Sequence, residues 1–115
     1  MTIQLYGIPN CDTVKKARKW LDAEGIAYAF HDYKKEGADR GKLESWADAA
    51  GWEALLNRRG TTYRKLSDAD KADIDRNKAI ALMIEHPSMI KRPVVEHAGG
   101  VLVGFDDKAW AAALQ

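Results

Sequence analysis

Only one cysteine, Cys11, occurs in this chain of 115 residues, so no internal disulfide can form. That excludes a disulfide-stapled scaffold and fits a reducing compartment. Charge of one sign is missing too: 18 basic residues face 17 acidic ones, for a net charge of +1. With no sequence-wide field, direct nucleic-acid binding and attachment to an anionic membrane are not expected. No apolar run approaches the roughly 20 residues needed to cross a bilayer, and the opening MTIQLYGIPN lacks the charged start and apolar stretch of a signal peptide. The expected location is the cytoplasm. His31, His86 and His97 show no metal-ligand spacing, so no metal site and no bound cofactor are expected. Repeats, linkers and low-complexity segments are also missing, and a hydrophobic content of 46% suffices for one core. A single domain over residues 1–115 is the expectation.

Along the chain, residues 2–6 alternate Ile3 and Leu5 against Gln4 and Tyr6, which predicts a short buried strand ending at Gly7 and Pro9. From Asp12 onward Val14, Ala17 and Leu21 recur at helical spacing, Trp20 widens that face, and Gly25 follows as a stop. Residues 26–33, with Tyr28, Phe30 and Tyr33, read as a second strand, parallel to the first. Between about 37 and 86, polar residues and alanines dominate. Several short helices are expected there, starting near Asp39, Ser67 and Asp75, the clearest over 76–85 with Ala79, Ile80, Met83 and Ile84 on one face. The β pattern then returns at Val94 and Val95, turns over 97–100 and continues over 101–103; Asp106 or Asp107 caps a last helix over 108–114. The order βαβ, helical insertion, ββ and closing helix predicts an α/β, thioredoxin-like fold. Its four-stranded mixed sheet carries an all-helical insertion and is expected to have helices on both faces.

Cys11 follows a strand and a tight loop and opens a predicted helix, where unpaired backbone N–H groups and the helix dipole favour an anion. Such placement lowers a thiol pKa, and Lys15, four residues on, is expected to add a positive charge. Asn10 and Asp12 flank the sulfur; Asp12 is expected to cap the helix. Val14 stands where a dithiol oxidoreductase has its second cysteine. The chemistry expected of Cys11 is therefore monothiol, its mixed disulfide resolved by an outside thiol such as glutathione or a glutaredoxin. Pro93 precedes the third strand, where a thioredoxin fold places a cis proline against its catalytic cysteine, so a cis Arg92–Pro93 bond with Arg92 beside the sulfur is expected. Arg58, Arg59 and Arg64 form a second basic cluster next to a turn at 60–62. Guanidinium groups grip oxyanions and carboxylates in bidentate fashion, so an arginine from this turn and Arg92 can together hold an anionic substrate or the carboxylates of glutathione. The tryptophans Trp20, Trp46, Trp52 and Trp110 are expected to be packing anchors.

The segments YGIPNCDTVKKA, FHDYKKEG, LLNRRGTTYRKL and PSMIKRPVV, in that order and spanning nearly the whole chain, resemble the arsenate-reductase-like (ArsC/Spx) family, most closely its small YffB-like branch. The resemblance implies a thioredoxin-like fold, a catalytic cysteine at Cys11 and arginines around a substrate oxyanion, one of them Arg92 and the middle one Arg59 or Arg58. Pro93, Lys15 and Asn10 are also expected around the bound substrate or glutathione. The chain departs from arsenate reductases proper at Phe105, where they have an arginine after the last strand's glycine. It departs again at Gly7 and Ile8, where they have a histidine and an asparagine. Val14 departs from the two-cysteine switch of many Spx regulators. The function implied is a glutathione-dependent thiol reductase with glutathione as co-substrate, acting as a monomer. The alternatives are an arsenate reductase coupled to glutathione and glutaredoxin, or an Spx-like transcriptional regulator that binds RNA polymerase.

Overall fold

The computed structural model describes residues 3–36 and 39–115, apart from the side chain of Lys34. In chain order the elements are β1 (Ile3–Gly7), α1 (Asp12–Ala23), β2 (Tyr28–Asp32), α2 (Tyr33–Glu36), α3 (Arg40–Ala50), α4 (Trp52–Leu55), α5 (Thr61–Arg64), α6 (Asp68–Lys71) and α7 (Arg76–Glu85). After them come a 3-10 turn (Pro87–Met89), β3 (Val94–His97), β4 (Gly100–Val103) and α8 (Asp107–Leu114). Thr2, in the expected first strand, and Gly37, at the start of the expected insertion, lie outside the described residues. The chain forms two compact units, one of Met1–Glu36 with Arg92–Gln115, the other of Gly37–Lys91. The helical unit thus runs past residue 86 to Lys91. What extends it is backbone pairing: Leu56 bridges Ile90, Asn57 N–H donates to the Met89 carbonyl at 2.8 Å, and Lys91 N–H donates to the Leu55 carbonyl at 2.7 Å.

The first unit is built on a four-stranded sheet in the order β2-β1-β3-β4. β1 runs parallel to β2, with Leu5 opposite Phe30, and antiparallel to β3, with Leu5 opposite Val95; β4 returns antiparallel to β3. This is the mixed sheet of a thioredoxin-like fold. Period-two alternation turns Ile3, Leu5 and Gly7 inward, and the helical spacing of Val14, Ala17 and Leu21 gives α1 one apolar stripe to lay on them. Trp110 of α8 joins the same cluster, with Val95 from β3. Each fully buried Leu or Val here contributes about 1.5–3 kcal/mol. Gly25 ends the α1 turn with φ of +68°, a left-handed conformation that other residues adopt at a cost.

Both long helices of this unit therefore sit on one face of its sheet. Across the sheet from them β1 presents Gln4 and Tyr6. Tyr6 stacks on His31 with ring centroids 4.7 Å apart and donates its hydroxyl proton to Glu96 Oε1 at 3.1 Å, while His31 Nε2 lies 2.5 Å from Gln4 Oε1. The second strand is shorter than the apolar run suggests, because Tyr33 already belongs to α2.

In the second unit the buried residues are Leu43, Trp46 and Ala47 of α3, Leu55 and Leu56, Ala79, Ile80, Leu82 and Met83 of α7, and Met89 and Ile90. Three of its helices, α3, α6 and α7, start at the expected capping residues: Asp39, Ser67 and Asp75 accept from the N–H groups of Lys42, Asp70 and Lys78. Such a cap contributes about 1 kcal/mol. Asp106 does the same for α8, accepting from Lys108 N–H at 3.0 Å. Of the four tryptophans, Trp46 and Trp110 are buried, whereas Trp20 and Trp52 are half-exposed.

Candidate thiol site

β1 ends at the buried Gly7, and the exposed Pro9 and Asn10 turn the chain so that Cys11 N–H donates to the Ile8 carbonyl at 3.2 Å. Cys11 is itself the N-cap of α1, extended at φ −83° and ψ 126°, and its carbonyl accepts Lys15 N–H at 2.9 Å. Asp12, expected as the cap, is instead the first helical residue and is exposed. The shift has a local cause, since the tight turn at Pro9 and Asn10 closes one residue earlier than a cap at Asp12 requires. It leaves a thiol where a helix ordinarily places an oxygen acceptor. The sulfur lies short of a full capping hydrogen bond, yet it sits over the unpaired N–H groups of the first turn.

The half-buried Cys11 thiol is pulled in two directions. Burial pushes its pKa up, but the backbone N–H groups of Val14 and Thr13, with the charge and a hydrogen bond of the Arg92 guanidinium, outweigh that and hold it below its ordinary value. Strand pairing brings the arginine here. β3 lies antiparallel to β1 with Val94 opposite Tyr6, so Arg92, two residues before Val94, lies beyond the end of β1 that feeds the Cys11 loop. The Arg92–Pro93 bond is cis, and the buried Pro93 accepts Gly104 N–H at 2.8 Å.

A residue that sequence reasoning passed over completes the group. Because β2 is parallel to β1 with Asp32 opposite Gly7, Tyr33 lies beyond the same end of the sheet. It is only 2% exposed. Burial holds its phenol well above the ordinary tyrosine range, and Arg92 donates a hydrogen bond to it and partly offsets that rise. Tyr33 stands in the FHDYKKEG segment; its one sequence signal is an aromatic residue following the strand that pairs in parallel with the Cys11 strand.

Lys15 and Asn10 are exposed, and the cation that holds the thiol down is Arg92. Arg58 and Arg59 belong to the second unit. With Leu56, Asn57 and Lys91 they line an open pocket of about 260 Å³, where the Arg58 guanidinium lies 5.8 Å from the centre of the Trp52 ring and Asn57 Oδ1 accepts Arg59 N–H at 3.1 Å. The turn expected at 60–62 becomes the start of α5, because Gly60 serves as the helix N-cap. Among the described residues no cluster of three or more His, Cys, Asp or Glu is placed to hold a metal ion, and no helix is long and apolar enough to cross a membrane.

Chemically, the arrangement offers a thiol of lowered pKa at a helix N-terminus beside a permanent cation. It has the makings of a nucleophile toward a disulfide sulfur or another electrophile.

The profile of the ArsC family matches residues 6–113. This chain belongs to the ArsC family. Among solved structures it is similar to a YffB protein, with 59% identity, a TM-score of 0.95 and coverage of 99% of this chain and 100% of the other. An arsenate reductase (ArsC) related protein from Brucella melitensis is 50% identical, with a TM-score of 0.78 and coverage of 99% and 94%. An uncharacterized protein of Haemophilus influenzae is 42% identical over 96% of this chain and 97% of its own length. More distant is the global transcriptional regulator Spx 1 of Lactococcus lactis, 26% identical over 91% and 83%. The chains with which this one aligns thus include an arsenate-reductase-related protein and an Spx regulator.

Proposed function

We propose that this ArsC-family protein is a cytoplasmic, glutathione-dependent thiol reductase that works through Cys11 alone. The observation that carries the reading is the pairing of a thiol held below its ordinary pKa with a buried Val14 where a second cysteine would stand. In the first step the Cys11 thiolate attacks one sulfur of a substrate disulfide. A Cys11–substrate disulfide forms, the substrate S–S bond breaks, and the other sulfur leaves as a thiolate. A glutathione thiolate then attacks the substrate sulfur of that mixed disulfide, which releases Cys11 as thiolate and leaves the substrate joined to glutathione. A second glutathione frees the substrate thiol as oxidised glutathione forms. Arg92 balances the charge on Cys11, and Asn10, Lys15 and Pro93 are the proposed surroundings of glutathione or its substrate; Arg58 and Arg59 are proposed as anion-binding residues of the second unit. Glutaredoxin is an alternative resolving partner, and the working form is a monomer.

The test is intact mass after brief exposure to oxidised glutathione at neutral pH, on native protein and on a urea-unfolded control. Faster adduct formation in the native protein supports the reading; reaction of the unfolded chain alone overturns it.

Arsenate reduction is a second reading, favoured by the similarity to the Brucella arsenate-reductase-related protein. Cys11 would attack arsenic in place of sulfur. Phe105, where arsenate reductases proper have an arginine, argues against a full oxyanion clamp. Turnover of arsenate with glutathione and glutaredoxin decides it. An Spx-like role rests on the 26% identity to a transcriptional regulator, and capture of RNA polymerase by the purified protein is its test.

A further inference from the structure

We infer that Tyr33 is the positioning residue of this thiol site: its buried hydroxyl holds the Arg92 guanidinium at the end of β1, where the guanidinium faces Cys11. The inference rests on the reading of Cys11 as the nucleophile and adds the device that keeps its counter-cation in place.

Three separate chain segments meet here for a topological reason. β1 delivers the Cys11 loop, its parallel partner β2 delivers Tyr33, and its antiparallel partner β3 is entered through Arg92. An arginine approaching a thiol from a loop has a long side chain whose rotamer freedom opposes any single placement. Tyr33 is rigid by comparison, packed to 2% exposure with its hydroxyl satisfied. A guanidinium carries five N–H donors in a fixed fork, so one arginine can donate to the phenolic oxygen and to the sulfur together. Tyr33 and Cys11 therefore need not compete for it.

The choice of a phenol also has a consequence for charge. A carboxylate anchor would neutralise Arg92 and compete with the thiolate, whereas a buried phenol accepts the hydrogen bond and stays neutral. The neighbouring carboxylate, Asp32, accepts Lys35 N–H at 3.2 Å. The charged and titratable groups around the thiol are thus Arg92 from the loop before β3, Tyr33 and Asp32 at the end of β2, and the exposed Asp12 and Lys15 on its own helix.

Tyr33→Phe keeps the ring and removes the hydroxyl. The readout is the pH profile of Cys11 alkylation by iodoacetamide, with thermal melting to check folding. The expected result is an upward shift of the profile, with a rate at pH 7 about threefold to tenfold lower, since one pKa unit is tenfold in thiolate. In an Arg92→Leu background, Tyr33→Phe is expected to change nothing further. A wild-type profile for Tyr33→Phe overturns the inference, and so does an equal shift in the Arg92→Leu background, because Tyr33 would then act without Arg92. Should Tyr33→Phe not fold, Arg92→Lys carries the test, for an ammonium lacks the fork that bridges both partners: an upward shift supports the inference and an unmoved profile overturns it. If wild-type Cys11 alkylates no faster than in the unfolded chain, the reductase reading and this inference fall together; a reactive wild type with an unmoved Tyr33→Phe removes the inference alone.

Discussion

Gly7 and Val14 meet so closely that a β-carbon at Gly7 would lie 2.8 Å from Val14 Cγ2. The contact joins the end of β1 to the first turn of α1, on either side of the loop that carries Cys11. A side chain at position 7 must therefore push Val14, which is fully buried, out of its place. Gly7→Ala is expected to cost about 1–3 kcal/mol, as overpacking does in a close-packed core. Urea unfolding measures it, and an unchanged midpoint would show that the first turn of α1 yields freely.

The lowered Cys11 pKa ties stability to pH. In the folded protein the thiol ionises at lower pH than in the unfolded chain, so its stabilising contribution is present above the unfolded pKa and lost as pH falls through the folded one. Wild type minus Cys11→Ser should therefore gain stability as pH rises through the thiol range and level off above it. Urea midpoints of both proteins at several pH values give the difference; a flat or falling curve contradicts the placement of Arg92 and the first-turn N–H groups around the sulfur. The same Cys11→Ser protein is expected to have no reductase activity.

Val14 occupies the position three residues after Cys11, and its side chain is fully buried against Gly7 and the core. A cysteine fits that volume at a cost below about 1.5 kcal/mol. Val14→Cys should convert the protein from monothiol to dithiol behaviour: after oxidised glutathione, mass spectrometry should find a loss of two hydrogens in place of a lasting glutathione adduct. A persistent adduct would mean that the buried position 14 does not reach the Cys11 sulfur.

Trp110 is 1% exposed, donates Nε1–H to the Gly104 carbonyl at 3.1 Å and meets Phe105 edge to face with centroids 4.9 Å apart. It fastens α8 to the sheet through the loop after β4. Trp110→Ala is expected to destabilise the protein by about 3–5 kcal/mol, the range for emptying a buried aromatic site. Trp110→Phe should fall between, with the carbonyl left unpaired. Thermal melting of the two variants checks the order, and a Trp110→Phe protein that melts at the wild-type temperature would argue against the indole hydrogen bond.

The fold was legible in the amino-acid order because its signals are local. Alternation in β1, the spacing of Val14, Ala17 and Leu21 in α1, and the capping residues at Asp39, Ser67, Asp75 and Asp106 each act within a few residues of the element they define. The sequence by itself also determined that Cys11 opens a helix and has no partner thiol. Asp12 as the cap and the length of the second strand differ from expectation, because a neighbouring turn moved each boundary. Lys15 and Arg92 are both expected near the sulfur, and the tertiary structure decided which of them serves it. Lys15 is near Cys11 in sequence and exposed, whereas Arg92 reaches it from far along the chain because β3 pairs with β1. The place of Tyr33 at this site was hidden for the same reason. Its neighbours are set by the register of β2 on β1, and register is a property of paired strands that no single stretch of chain contains.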